Sequence, residues 1–223
     1  MSRPLLVVSP HLDDGVLACG EALAANPGSV VVTVFAGPPP AGAPLTGWDR
    51  DAGFRPGDDA IGARRAEDAR ALRTLDAAPR WLDFADAQYG APPPIATLAD
   101  ALAGVVAAVE PPAVLFPLGL FHADHARTAE AALAVRRRLP APRWIAYAEP
   151  LYRRIPGLLA ARLGALEAAG LAPRRLSLAP RTASARKRRA VACYASQLRA
   201  LATPGRPGHA DAFAAERYWT VGA

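Results

Sequence analysis

The chain has 223 residues, enough for an α/β domain that buries a core without disulfide staples. Hydrophobic residues make up 52% and charged residues 21%, which excludes a largely disordered chain. The net charge of +6 is uneven: residues 1–110 carry 8 Arg against 14 acids, whereas residues 111–223 carry 18 basic residues against 6 acids.

The first strand expected is Leu5–Ser9, a short apolar run that turns polar at Ser9-Pro10-His11-Leu12-Asp13-Asp14. A helix over Asp14–Ala25 follows, then a strand over Val30–Phe35. Gly37–Asp59 is rich in Pro, Gly and Asp and has no periodicity, so it reads as a long loop, either a lid over a site or a disordered excursion. The pattern then gives helix Ala60–Leu75, strand Arg80–Phe84, helix Ile95–Val109 and strand Val114–Leu118. Helix Ala123–Leu139, strand Trp144–Ala148, helix Leu158–Ala169, strand Arg175–Leu178 and a last helix Thr182–Leu201 complete the chain. Compact apolar strands alternating with helices predict an α/β fold: one Rossmann-like, doubly wound, mostly parallel sheet with helices on both faces, spanning 1–223 as one domain. The expected order 3-2-1-4-5-6 reverses between strands 1 and 4, and ligands sit outside the carboxyl ends of the strands at that point.

The two cysteines, Cys19 and Cys193, form no Cys-x-x-Cys pair, so neither a disulfide framework nor a thiolate metal cluster is expected, and both read as packing residues. The apolar run Leu5–Val8 is too short for a signal peptide, and Pro38–Pro40 interrupts the uncharged stretch Pro27–Trp48. A soluble cytoplasmic protein with no membrane span is the expectation. The arginine-rich runs Arg136–Arg138 and Arg186–Arg189 lie in helical patterns with few aromatics between, which points to solvated helix faces and away from nucleic acid.

Three of the four histidines fall at the expected switch point: His11 after strand 1, and His122 and His125 in His122-Ala123-Asp124-His125 after strand 4. Taken alone, Asp13-Asp14 could simply begin a helix, where carboxylates suit the positive end, and His122 and His125 could be neighbours on a helix surface. Together they fit a hydrolytic metal site. Zn²⁺ accepts imidazole nitrogen and carboxylate oxygen and keeps one position open for water, so His11, Asp14 and His125 would supply the three ligands. Asp13 is next in line to take a proton from that water, and His122 suits stabilisation of an oxyanion and protonation of a leaving amine. Asp124 is close enough in sequence to orient His122. A His₂Asp site with open positions also accommodates Fe²⁺ or Co²⁺. His209, in Pro-Gly-His-Ala, reads as an exposed loop residue.

Ser9-Pro-His-Leu-Asp-Asp14 and His122-Ala-Asp-His125 resemble the two signature motifs of the LmbE-like (PIG-L) family of zinc-dependent N-acetylglucosaminyl de-N-acetylases. That family includes enzymes of glycosyl-phosphatidylinositol, mycothiol, bacillithiol and glycopeptide-antibiotic pathways. Arg64-x-x-Glu67, Asp86, Lys187-x-x-Ala190, Ser196-Gln197 and Glu216-x-Tyr218 extend the likeness over most of the chain. The resemblance implies the same ligands and catalytic groups, adds Arg64 and Asp86 as holders of sugar hydroxyls, and implies a small-molecule amino-sugar substrate. Read on their own, Arg64 could be a surface arginine and Asp86 a turn residue, while Glu67 reads best as an ion-pair partner of Arg64 or Arg70. The chain departs from the family at Leu12, where Pro is common, at Gly15, where Glu is common, at Leu120, where some members have Tyr, and at Tyr194, where the family has His. The catalytic inventory is intact and the substrate shell has diverged. Two rival readings remain: a hydrolase of another N-acyl amide in a secondary-metabolite or thiol pathway, and a non-catalytic sugar- or nucleic-acid-binding module on the same fold. The sequence leaves homo-oligomerisation open.

Overall fold

The computed structural model describes residues 3–178 and 184–222. Parallel strands β1 (Leu6–Ser9), β2 (Val30–Thr33), β3 (Ala78–Trp81), β4 (Ala113–Pro117) and β5 (Arg143–Tyr147) are joined by helices α1 (Asp14–Ala25), α2 (Gly47–Asp51), α3 (Ala60–Thr74), α4 (Ile95–Val109) and α5 (Ala123–Arg138). Then come α6 (Leu158–Ala168), β6 (Ala172–Leu176), α7 (Ala185–Ala192), α8 (Ala195–Leu201) and β7 (Tyr218–Gly222). The sheet order is β3-β2-β1-β4-β5-β7-β6, and β7 runs antiparallel to both of its neighbours.

The pleat sorts alternate residues to opposite faces. From β1, Leu6 and Val8 join Leu98 and Leu102 of α4 and Val135 of α5, while Val7 joins Leu17 and Leu23 of α1 and Leu72 of α3 on the other face. The central strands are therefore mostly apolar, with Ser9 and Thr33 at the carboxyl ends of β1 and β2 and Arg143 at the start of β5. β3 and β6, at the edges, hold only exposed and half-buried residues.

Several sequence expectations needed correction. Strand Arg80–Phe84 starts earlier, at Ala78, because register is set by pairing with β2, with Val30 opposite Ala78. Arg175–Leu178 likewise becomes Ala172–Leu176. β7 was not expected. It forms because Tyr218-Trp219-Thr220-Val221 fills the space between β5 and β6 and gives both strands a partner. The expected last helix divides into α7 and α8 at Cys193 and Tyr194, and its first residues, Thr182 and Ala183, lie outside the described residues. The stretch 37–59 contains α2, whose Thr46 and Asp49 form a reciprocal capping box.

Behind the sheet's centre, Lys187 of α7 is fully buried, its Nζ 2.7 Å from Glu216 Oε1. Glu216 also accepts the Glu21 and Ala22 N–H groups of α1, so this ion pair ties α7 and the C-terminal strand to α1. Of the arginines in the two basic runs, Arg186 pairs with Asp76, Arg188 lies over the Phe213 ring at 4.7 Å and Arg136 donates to Val221 O at 3.1 Å.

Candidate active site

β1 and β4 are neighbours, and their carboxyl ends deliver both histidine segments to one place. After β1, Ser9 Oγ donates to His11 O at 2.6 Å and accepts the Gly15 N–H at 2.8 Å, folding the loop back over itself. A Cβ at Gly15 would lie 3.1 Å from Val31 and 3.2 Å from Ser9, so the glutamate common in the family would need these neighbours to give by a few tenths of an ångström. After β4 the chain turns through Gly119 (φ +84°) and enters α5, whose N-cap is His122; its Nδ1 accepts the Asp124 N–H at 3.2 Å.

His11, Asp14 and His125 meet. Asp14 Oδ2 lies 3.2 Å from His11 Nδ1 and 3.1 Å from His125 Nε2. Two ligands bound at 2.0–2.1 Å to a tetrahedral ion stand about 3.3 Å apart, so this donor set fits a divalent cation with little rearrangement. His125 and Asp14 are buried, and His125 Nδ1 points back to Glu149 Oε1 at 3.4 Å, the carboxylate backing that ligating imidazoles use. Burial opposes charge on Asp14, but His125 and then His11 outweigh it and hold the carboxyl well below its usual range. The reciprocal effect appears on His125, which burial would lower but Asp14 and Glu149 raise to about 9. Asp13 shows the opposite balance. Its burial, followed by the neighbouring Asp14 charge, pushes it up to about 7. Asp13 occupies the N-cap of α1 but makes no side-chain cap bond, so its carboxylate does not serve the helix end.

His122 is half-buried beside His11, with ring centroids 5.1 Å apart. Burial, then the neighbouring His11 and His125, lower its pKa. Asp124 departs from its expected place. Its carboxylate faces His11 Nε2 at 3.1 Å and accepts the Ala87 N–H, and only its backbone N–H meets His122. The reason is helical direction: as the second residue of α5, Asp124 is carried toward the β1 loop. Asp124 Oδ1 is buried and has no hydrogen-bond partner among the described residues.

Arg64 and Asp86 both line the cavity over this cluster. Arg64 is buried and pairs with Asp49 of α2 at 2.8 Å, and Tyr89 Oη donates to the same carboxylate. The loop 37–59 is therefore docked against the site through Asp49. Asp86 caps the 3-10 turn Ala87–Tyr89, and its Oδ2 lies 3.7 Å from His11 Nε2. Glu67 pairs with neither Arg64 nor Arg70; it accepts the Ser196 N–H at 2.9 Å and Oγ–H at 2.6 Å, joining α3 to α8. Tyr194, at the position of the family's histidine, donates to Asp68 at 2.7 Å beneath the cavity.

Sequence reasoning missed Glu149 and Tyr152. Glu149 accepts the Gly119 and Leu120 N–H groups at 2.8 and 2.9 Å and so holds the turn that carries His122. Trp48, noted only as part of a loop, lines the cavity and donates to Gln197 at 3.1 Å. Tyr152 stands edge-on to His125, 5.3 Å between centroids. A glutamate just past β5, at a strand's carboxyl end, was the one signal available. His209 is half-buried against Phe213.

Residues 6–136 match the family model described as PIG-L, GlcNAc-PI de-N-acetylase. The chain belongs to the PIG-L family. Its enzymes are deacetylases, and this one is a hydrolase of that class. Among solved structures, the A40926 pseudoaglycone deacetylase Dbv21 is 27% identical, with a TM-score of 0.76 over 99% of this chain and 98% of that one. A deacetylase triple mutant, Orf2*T, of the teicoplanin biosynthetic pathway is 26% identical, with a TM-score of 0.74 over 98% of each chain. The zinc-inhibited form of teicoplanin deacetylase Orf2, at 24% identity and a TM-score of 0.75 over 98% of each chain, shares the fold. No curated protein matches the chain by sequence. Among the described residues of this PIG-L chain, no helix is long and apolar enough to cross a membrane.

Proposed function

We propose that this PIG-L enzyme removes the N-acetyl group from an amino sugar of the N-acetylglucosamine type carried on a small-molecule conjugate. The single observation that carries this reading is the His11–Asp14–His125 cluster at the switch point, with Asp13 beside it and a cavity of about 440 Å³ above it. His11, Asp14 and His125 hold a divalent cation, Zn²⁺ first among the candidates. When bound, the cation supplies Lewis acidity to the amide carbonyl and to a water. Asp13, as the ionised carboxylate whose burial makes it a stronger base than an exposed one, accepts the proton of the attacking water. His122, at the mouth of the turn after β4, donates to the departing amine. Asp124 orients His11, and Glu149 orients His125. Asp86 and Arg64 hold sugar hydroxyls, Arg64 from the Asp49 pairing that fixes its guanidinium. The chain works as one domain over 1–223, in the cytoplasm.

The likeness to the A40926 pseudoaglycone deacetylase and to a deacetylase of the teicoplanin biosynthetic pathway supports the reaction class. The test is acetate release from N-acetylglucosaminides, with metal content measured on protein purified without added metal. Asp13→Ala keeps its metal and loses at least about 100-fold in turnover, the range of a lost general base. Loss of metal in parallel with turnover would mean that Asp13 and Asp14 have exchanged roles. Turnover that survives chelation would remove the metal from the mechanism.

A further inference from the structure

The turn that delivers His122 has an unusual apex. The His122 N–H donates to Leu120 O at 2.7 Å, closing a three-residue turn with Phe121 at its centre in the left-handed region, φ +62°. A bulky residue there is strained, as is the centre of such a turn. Among the described residues, the other two non-glycine positions with positive φ, Asp76 and Glu110, are polar and close the ends of α3 and α4. Phe121 terminates no helix. It is 71% exposed, while its neighbour Leu120 is fully buried. The strained turn thus holds the phenyl ring in water rather than in the core.

That ring is placed with care. It stacks on Tyr152, 5.2 Å between centroids and 30° between planes, and Tyr152 in turn stands against His125. Both rings line the same cavity as the metal-ligand cluster. At about 440 Å³ that cavity lies in the range of drug-sized ligands, larger than one acetamido sugar requires. Phe121 and Tyr152 thus stand on the cavity wall beside the residues that would receive the acetamide.

We propose that Phe121 and Tyr152 form a stacking shelf at the cavity mouth for a flat aromatic aglycone joined to the sugar. This rests on the deacetylase reading and adds the class of aglycone. An aromatic ring laid parallel to Phe121 covers its exposed face and gains the offset-stacking preference of π-systems.

The test compares kcat/KM for acetate release from 4-nitrophenyl and methyl N-acetyl-β-glucosaminide. The wild type favours the aryl glycoside. Phe121→Ala cuts the aryl-over-methyl ratio about three- to tenfold, through KM rather than kcat, because stacking on a remote group is uniform binding. Phe121→Trp keeps the ratio. Phe121→Gly, which relieves the backbone strain, lowers the ratio as alanine does, and this separates the ring from the fold. Turnover of both glycosides without aryl preference overturns the shelf and leaves the deacetylase reading standing, as does an equal fall for both glycosides in Phe121→Ala. Release from neither glycoside overturns both.

Discussion

Glu149 offers the sharpest check on the site's construction. It is 1% exposed, and its Oε1 accepts the Gly119 and Leu120 N–H groups at 2.8 and 2.9 Å and faces His125 Nδ1 at 3.4 Å. Hydrogen bonds to a charged acceptor contribute about 1.5–3 kcal/mol each. Glu149→Ala removes both amide bonds, and water entering the vacated space recovers part of the loss, so about 3 kcal/mol is expected. For a protein of this size that is a fall of roughly 6–12 °C in melting temperature. Glu149 Oε2 has no hydrogen-bond partner among the described residues, so a glutamine can place its amide nitrogen there and keep its oxygen on the two N–H groups. Glu149→Gln therefore retains most of the stability, losing about 1–2 kcal/mol as charge-assisted bonds become neutral ones. Both variants remove the charge behind His125, and metal affinity should fall roughly 10- to 100-fold in each, the usual cost of losing a ligand's carboxylate backing. Thermal melts of metal-free protein give the first quantity and competition titration with a chromogenic chelator the second. Unchanged affinity in both variants would refute the role of Glu149 behind His125. Equal destabilisation by Gln and Ala would show that the two N–H bonds are not what holds the turn.

Two further outcomes follow from the same geometry. Gly119→Ala should cost at least about 1–3 kcal/mol and more activity than that loss of stability explains. Its φ is +84° and the new Cβ would lie 2.8 Å from Ala129 Cβ and 3.0 Å from Ala126 Cα, so α5 and both its histidines must shift; a fully active variant would contradict this. Asp68 is raised by burial to about 6, against the Trp81 and Tyr194 hydrogen bonds that favour its ionised form. The folded state then keeps a proton that the unfolded chain releases near pH 4, so this contribution to stability is present at low pH and lost as pH rises from about 4 to 6. The difference in urea-unfolding free energy between Asp68→Asn and wild type should accordingly grow in the variant's favour by about 2 kcal/mol between pH 4 and pH 7; a flat difference would show that burial does not govern Asp68.

The central strands and the long helices were legible because their signal is local. Leu6–Ser9 and Ala113–Pro117 are short apolar runs, and α1 and α4 begin and end where the sequence pattern places them. Edge and terminal elements were less legible. β3, β6 and β7 are fixed by which neighbour they pair with, a relation between residues far apart in the chain. The candidate ligands were readable as two histidine-and-aspartate segments because strand alternation alone predicts that β1 and β4 adjoin. Which atoms face one another was not readable. Asp124 turns to His11 rather than His122 because position on α5 sets its direction, and Glu149 reaches His125 across β4 and β5.

The order of residues alone fixed the alternation of strand and helix, the reversal of the sheet beside β1, and the chemical kinds of donor gathered there. Those follow from periodicity and composition, which are carried by neighbours along the chain. Tertiary packing alone decided the pairing of carboxylates with imidazoles, the docking of Asp49 onto Arg64, and the strained turn that leaves the Phe121 ring in solvent. Each of these depends on distances between segments tens of residues apart, and burial sets their electrostatics only after the sheet and its helices have closed around them.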